Sequence, residues 1–148
     1  MYAEKAKELF EQGYNCAQAV FCAFNDLIGI EFETAVKLSS SFGGGLGRLR
    51  EVCGAVSGGA MVLGYLYGYT DISDDTVKKE HYALIQSFAN DFAKVNGSYI
   101  CKELLGLKEK ENSPVPTERT TEFYKKRPCS ELVYEAAKWV EHYIETNK

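Results

Sequence analysis

Five cysteines are the residues of this 148-residue chain whose type is best suited to chemistry. Four of them, which we call the cysteine quartet, lie where the sequence predicts the start of a helix: Cys16, Cys53, Cys101 and Cys129. Free backbone N–H groups and the helix dipole stabilise an anion there, so each of these thiols is expected to have a lowered pKa. The resulting thiolate attacks disulfides, becomes oxidised or binds a metal. Cys22 falls in mid-helix and is expected to be a small core residue.

The spacing of the quartet excludes the local motifs of cysteine chemistry. Its members follow one another at separations of 37, 48 and 28 residues, whereas zinc fingers, thioredoxin-like proteins and ferredoxins use closely spaced pairs. Only tertiary folding can therefore bring the four thiols into one redox centre. The odd cysteine count, with an N-terminus that lacks the apolar core of a signal peptide, predicts a reducing, cytoplasmic location.

Apolar residues recur at helical spacing along most of the chain, and no stretch alternates like an exposed strand. Asn15 and Gln18 have the spacing of a capping box, which predicts a helix that ends at Gly29. The predicted fold class is all-α: a compact bundle of about five to seven helices around a glycine-rich central helix, with residues 1–148 in a single domain. Residues 108–127 carry charge and two prolines without periodicity, so we expect a surface connection there.

The central helix is predicted within nineteen uncharged residues, Val52 to Thr70. That length is compatible with a membrane span. Five glycines and three tyrosines make the segment only moderately apolar, so we expect a buried helix and no membrane span. Small residues on neighbouring turns, such as Gly54 and Gly58 or Gly64 and Gly68, predict close packing against other helices.

A glycine-rich loop precedes the central helix. We expect Gly43, Gly44 and Gly45 to be cofactor-binding residues, whose backbone N–H groups approach Cys53 and bind a thiolate or the sulfur of a cluster. The loop is not a dinucleotide fingerprint, because Arg50 occupies the position of the third glycine. The formal net charge of −4 lacks the broad basic surface that binds phosphate backbones, so no nucleic-acid partner is expected.

The residues around the quartet resemble a family of bacterial and archaeal proteins labelled C_GCAxxG_C_C. The likeness covers nearly the whole chain and rests on these segments: Tyr14-Asn15-Cys16-Ala17-Gln18-Ala19-Val20, Phe42-Gly43-Gly44-Gly45, Cys53-Gly54-Ala55-Val56-Ser57-Gly58, Cys101 before Leu104-Leu105-Gly106, and Cys129. The resemblance implies a small redox-active protein with four characteristic cysteines, often encoded near transporter genes. By position these four map onto the quartet. The family label contains Gly-Cys-Ala where this chain reads Val52-Cys53-Gly54-Ala55.

Two redox chemistries follow for an oxidoreductase or electron-transfer protein. In the first, the thiolate of Cys53 attacks a disulfide and Cys129, delivered by the 108–127 connection, resolves the mixed disulfide. In the second, the whole quartet ligates an iron–sulfur cluster or another thiophilic metal. The resemblance also implies cluster binding, because a related domain occurs in a haem-containing cytochrome for which such a cluster has been proposed.

The alternative from a different class is a non-catalytic helical interaction module whose thiols are merely buried, accessory to a transporter. The partners expected are therefore a redox partner protein or a transporter, and glycine-lined helix packing is compatible with a homodimer. Replacing Cys53 and Cys129 by serine distinguishes these classes, because an interaction module would keep its thiol reactivity and metal content unchanged.

Overall fold

A computed structural model describes residues 1–107 and 113–148, and within these ranges the chain forms nine α-helices, one 3₁₀ turn at Ser40–Phe42 and one isolated β-bridge. The predicted all-α fold is thereby confirmed. The helices are α1 (Tyr2–Glu11), α2 (Cys16–Ala23), α3 (Asn25–Ile28), α4 (Phe32–Ser39), α5 (Gly54–Tyr67), α6 (Asp75–Asn96), α7 (Cys101–Leu104), α8 (Thr121–Lys126) and α9 (Cys129–Thr146).

Local side-chain caps favour the positions where α2 and α6 begin. The predicted capping box is present at α2: the N–H of Gln18 donates to Asn15 Oδ1 at 2.9 Å, and the N–H of Asn15 donates to Gln18 Oε1 at 3.0 Å. At the start of α6, Asp74 accepts hydrogen bonds from the N–H groups of Thr76 and Val77. Because these oxygens satisfy N–H groups that have no partner within the helix, they favour helix initiation at these positions.

The described residues form more helices than the five to seven expected. The helix predicted to end at Gly29 breaks at Phe24, where φ is −98° and ψ is 16°, so that α2 and α3 are separate. Within the expected 108–127 connection, α8 forms where no periodicity was found, and the N–H of Phe123 donates to the Thr120 hydroxyl at 3.2 Å. Residues 113–120 are irregular and mostly exposed, and residues 108–112 lie outside the described ranges.

The core forms where α1, α2, α5 and α9 pack together. Close approach between α2 and α5 depends on glycine: a Cβ atom at Gly58 would lie 2.6 Å from the carbonyl oxygen of Ala17. Gly54 also packs closely against the start of α2, where an added Cβ would lie 3.1 Å from the N atom of Ala17, so the small-residue prediction is confirmed for these two positions. It does not hold at Gly64, where an added Cβ would have no neighbour within 4 Å.

The uncharged central segment contributes α5, a helix of 14 residues. At 1.5 Å per residue such a helix is about 21 Å long, which is less than the roughly 30 Å of a bilayer's hydrocarbon core. In the described part of the chain, no helix combines the length and apolar character that a membrane crossing requires.

Candidate functional site: the cysteine quartet

Each member of the quartet lies at the start of a helix, as predicted. Cys16, Cys101 and Cys129 are the first residues of α2, α7 and α9, and Cys53 immediately precedes α5. Their exposure differs: Cys53 and Cys101 are buried, with 3% and 8% of their surface exposed, whereas Cys16 and Cys129 are partly exposed.

The crossing of α2 and α5 brings Cys16 close to Cys53. Gly54, which follows Cys53, faces the first turn of α2 so closely that an added Cβ would lie 3.1 Å from the Cβ of Cys16 and 3.1 Å from the N atom of Ala17. It would also lie 3.0 Å from the carbonyl oxygen of Phe42. The missing side chain at Gly54 therefore allows the starts of the two helices to meet.

A short antiparallel pairing brings Cys53 close to Cys101. Val52 and Ile100 form the β-bridge, and the N–H of Cys53 donates to the carbonyl of Tyr99 at 2.8 Å. On the other side of the bridge, the N–H of Cys101 donates to a carbonyl of the 50–53 segment at 2.6 Å. This pairing joins segments almost fifty residues apart in sequence, and no periodic pattern in either segment predicts it.

The fourth member, Cys129, joins the others through Cys16. The two thiols are close enough to act on each other's pKa: as a hydrogen-bond donor, the thiol of Cys16 favours the thiolate of Cys129. Charges on Cys53 and Cys101 also act on Cys16. The structure thus brings all four sulfur atoms within electrostatic range of one another.

The pKa expectation from helix starts is wrong for three members of the quartet. Burial is the main cause that raises the pKa of Cys53, to about 12, although the N–H groups of Ala55 and Val56 oppose the rise. Burial also raises the pKa of Cys101. The hydrogen bond to Cys129, followed by burial, raises the pKa of Cys16. For Cys53 and Cys101, the free-energy cost of removing a thiolate from water exceeds the stabilisation that the helix start provides.

Only Cys129 has its pKa lowered within the quartet, to about 7 from an ordinary value of 9.0. The hydrogen bond from Cys16 is the main cause. The positive charges of Arg127, Arg119 and Arg50 also favour the thiolate, whereas burial opposes it. Because a thiolate is the nucleophilic form of cysteine, Cys129 is the member of the quartet most suited to attack near neutral pH.

The arginines near the quartet are positioned by long-range contacts. Arg50, only 5% exposed, donates from Nη1 to the sulfur of Cys101 at 3.6 Å. Arg48 instead donates to the carbonyl of Ser113 at 3.0 Å, which ties the 113–117 segment to the glycine-rich loop. Sequence reasoning missed Arg119, because no local pattern indicates that a residue in an irregular segment approaches Cys129.

The glycine-rich loop closely approaches two of the cysteine-bearing helices. A Cβ atom at Gly43 would lie 2.4 Å from the side chain of Asn15, and one at Gly45 would lie 2.8 Å from the Cβ of Cys101. Gly44 and Gly45 both adopt positive φ, of 66° and 73°. The carbonyls of all three glycines accept hydrogen bonds from N–H groups later in the same loop. Binding of a thiolate or cofactor by their own N–H groups stays a prediction.

Cys22 lies apart from the quartet, as expected. It is 2% exposed within the main hydrophobic core. Burial raises the pKa of its thiol, and a hydrogen bond with Ser39 partly opposes the rise. Cys22 therefore provides a matched control for experiments on the quartet, because it is a buried thiol on the same helix as Cys16.

A cavity of about 430 Å³ lies at the opposite end of α5 from Cys53, beside the start of α6. His81 lines it together with Tyr67, Tyr69 and Tyr143, and the rings of His81 and Tyr69 are 6.1 Å apart. This histidine is therefore placed with an aromatic cluster away from the start of α5, where Cys53 lies.

Four thiols have the donor chemistry that iron–sulfur clusters and other thiophilic metals prefer. Within residues 1–107 and 113–148, however, no three or more side chains of His, Cys, Asp or Glu are grouped so that they could hold a metal ion. Metal ligation by Cys16, Cys53, Cys101 and Cys129 was predicted from the sequence. Ligation of a metal by these four residues stays a prediction.

Taken together, an all-α fold and four thiols gathered at helix starts define a class of small helical cysteine-motif proteins. Residues 14–143 match the family described as "Putative redox-active protein (C_GCAxxG_C_C)". Because the match covers most of the chain, the protein belongs to this family, which confirms the resemblance seen in the sequence. The chain matches no curated protein and no solved structure.

Proposed function

We propose that this protein is a thiol–disulfide oxidoreductase in which Cys129 and Cys16 form the redox pair. What carries the proposal is the mutual effect of the two thiols, which raises the pKa of Cys16 and lowers that of Cys129, together with the positive charges of the arginines that favour the Cys129 thiolate. Both cysteines are also partly exposed, unlike Cys53 and Cys101. Family membership supports redox activity in general.

The proposed reaction has two exchange steps. The thiolate of Cys129 attacks one sulfur of a substrate disulfide, which forms a mixed disulfide and releases the other half as a thiolate. Cys16 then loses its proton to the released thiolate and attacks the sulfur of Cys129. This second attack forms the Cys16–Cys129 disulfide and releases the remaining half of the substrate. Two electrons pass to the substrate, and an external dithiol returns them in a later exchange.

These roles differ from the ones expected from the sequence, in which Cys53 attacks and Cys129 resolves. Burial and a pKa of about 12 keep Cys53 protonated at neutral pH. We propose that Cys53 and Cys101 act as neighbours of the pair and exchange electrons with it only when it is oxidised. Arg50, which hydrogen-bonds Cys101, supports the position of that sulfur beside the pair.

Oxidation under controlled conditions tests the proposal. The reduced protein is treated with one equivalent of a thiol oxidant, and the disulfide formed is located by peptide mass spectrometry. We expect a Cys16–Cys129 disulfide, which is lost in Cys16→Ser and in Cys129→Ser. The Cys22→Ser variant should form it at the rate of the unaltered protein, because Cys22 lies apart in the core.

Three other results would contradict the proposal. Stoichiometric iron and sulfide after anaerobic purification, lost in the quartet variants, would support a ligated cluster instead. If the first disulfide to form joined Cys53 and Cys101, the redox pair would be those two residues and not Cys16 and Cys129. Equal alkylation rates for Cys22 and Cys129 in the native protein would support the non-catalytic interaction module. Cytoplasmic location, a redox or transporter partner and a homodimer stay predictions within this proposal.

A further inference from the structure

Three arginines from separate parts of the chain direct positive charge toward Cys129. Arg127 lies two residues before it. Arg119 donates from Nη2 to the carbonyl of Tyr14, two residues before Cys16, and Arg50 donates from Nη1 to the sulfur of Cys101 at 3.6 Å. Their convergence is therefore a product of the tertiary fold.

Arg119 is held by groups that carry no net charge. Its guanidinium donates to the carbonyls of Phe10 and Tyr14, the latter at 2.7 Å, and its central carbon lies 4.1 Å from the centre of the Phe10 ring. The guanidinium of Arg127 lies 5.7 Å from the centre of the Phe123 ring. Carbonyls and aromatic faces orient a guanidinium without cancelling its charge.

Neither Arg119 nor Arg127 forms an ion pair with a carboxylate of residues 1–107 and 113–148. Both are partly buried, so water screens their charges less than it would at the open surface. The irregular segment that carries Arg119 is also anchored, because Arg48 Nη2 donates to the Thr117 hydroxyl at 2.9 Å. The positive charge beside the Cys16–Cys129 pair is thus both fixed and uncompensated by these carboxylates.

We propose that the cysteine site selects anionic substrates, namely low-molecular-weight disulfides that carry carboxylates. This inference rests on the proposed function and names its substrate class. A carboxylate on the substrate is attracted to Arg119 and Arg127 as its disulfide bond approaches the sulfur of Cys129. The exchange is otherwise unchanged: each turnover consumes one anionic disulfide and releases two anionic thiols.

Three model disulfides that differ in charge test the inference. The reduced protein is mixed at low salt with 3,3′-dithiodipropionate (a dianion), 2-hydroxyethyl disulfide (neutral) or cystamine (a dication). Each rate is divided by the rate of 2-mercaptoethanol with the same disulfide, which removes differences in intrinsic reactivity. We expect the normalised rate for the dianion to exceed that for the dication by about 10-fold or more, since a fixed charged site changes association rates by roughly 10 to 1,000-fold. Salt at about 0.5 M should reduce the ratio several-fold.

Variants assign the selectivity to the arginines. Arg127→Gln and Arg119→Gln should each lower the ratio several-fold, whereas Arg127→Lys, which keeps the charge, should retain most of it. Lys79→Gln, at an exposed position near the start of α6, removes the same charge elsewhere and should leave the ratio unchanged. Equal normalised rates for all three disulfides would overturn the inference and leave the proposed function standing. No reaction of Cys129 with any of them would overturn both.

Discussion

Replacing Cys16 by alanine should suppress the reactivity of Cys129 at neutral pH. The pKa of Cys129 is about 7 against an ordinary value of 9.0, and the hydrogen bond from Cys16 is the main cause. A difference of two pKa units corresponds to about 2.7 kcal/mol in favour of the thiolate. Without the hydrogen bond the pKa should rise toward 9, so the thiolate fraction at pH 7 should fall from about one half to as little as about 1%.

The assay is the rate of alkylation of Cys129 by iodoacetamide between pH 5.5 and 10, followed by peptide mass spectrometry. Since the thiolate is the reacting form, the rate at pH 7 should fall by about 10 to 50-fold in Cys16→Ala. The lower end of that range applies if the charges of Arg127 and Arg119 still lower the pKa of Cys129 in part when Cys16 is absent. Cys16→Ser, whose hydroxyl can still donate, should show a smaller loss, and Cys22→Ala should show none.

Two results would refute this reasoning. In the first, the midpoint of the pH profile in the unaltered protein lies near 9, so that Cys129 has no stabilised thiolate. In the second, the midpoint lies near 7 but does not move in Cys16→Ala. The arginines alone would then set the reactivity of Cys129, and the hydrogen bond between the thiols would have no part in it.

Three further predictions concern stability, measured by denaturant unfolding. Gly58→Ala should lower the free energy of unfolding by about 2 kcal/mol or more, because its Cβ would lie 2.6 Å from a carbonyl oxygen of α2. Gly64→Ala, which has open space around it, should instead raise the free energy of unfolding by about 0.5–1 kcal/mol. The opposite order would contradict the packing described for α5. Gly45→Ala should lower the free energy of unfolding clearly more than Gly47→Ala. Both positions have positive φ, of 73° and 54°, but an added Cβ would lie 2.6 Å from a backbone nitrogen at Gly45 and would have no neighbour within 4 Å at Gly47. Equal losses would count against the close approach of the loop. The pKa of Cys53 is higher in the folded than in the unfolded protein, so the contribution of this thiol to stability is complete below about pH 9 and is lost as pH rises toward about 12. Cys53→Ala should therefore lose less stability than the unaltered protein between pH 9 and 11. Parallel curves of unfolding free energy against pH would exclude a raised pKa.

Sequence signals predicted the features that neighbouring residues determine. The capping box of Asn15 and Gln18 and the helix-start positions of the quartet depend on residues a few positions apart, so the sequence contains the whole signal. The break at Phe24 was not predicted, because the residues on either side of it are compatible with one continuous helix.

The chemistry of the site depends on contacts that cannot be recognised locally. The pairing of Val52 with Ile100 and the approach of Arg119 to Cys129 join segments with no periodic relationship to each other. The burial of a side chain likewise depends on distant parts of the chain and cannot be recognised from its sequence neighbours. The position of Cys53 beside α5 was predicted, but its pKa changes in the direction opposite to the expected one because the surrounding core excludes water.

Most of the polypeptide lies between the two cysteines of the proposed pair, which are residues 16 and 129 in the sequence. A covalent link between them closes a loop of more than 100 residues, which in the chain-entropy account disfavours the unfolded state by about 5 kcal/mol. By thermodynamic linkage, the folded chain favours the bond over the dithiol by the same amount relative to the unfolded chain. For a two-electron couple this lowers the reduction potential by about 100 mV when the bond forms without strain. Folding itself would then make this protein a stronger reductant, and its melting temperature would report its oxidation state.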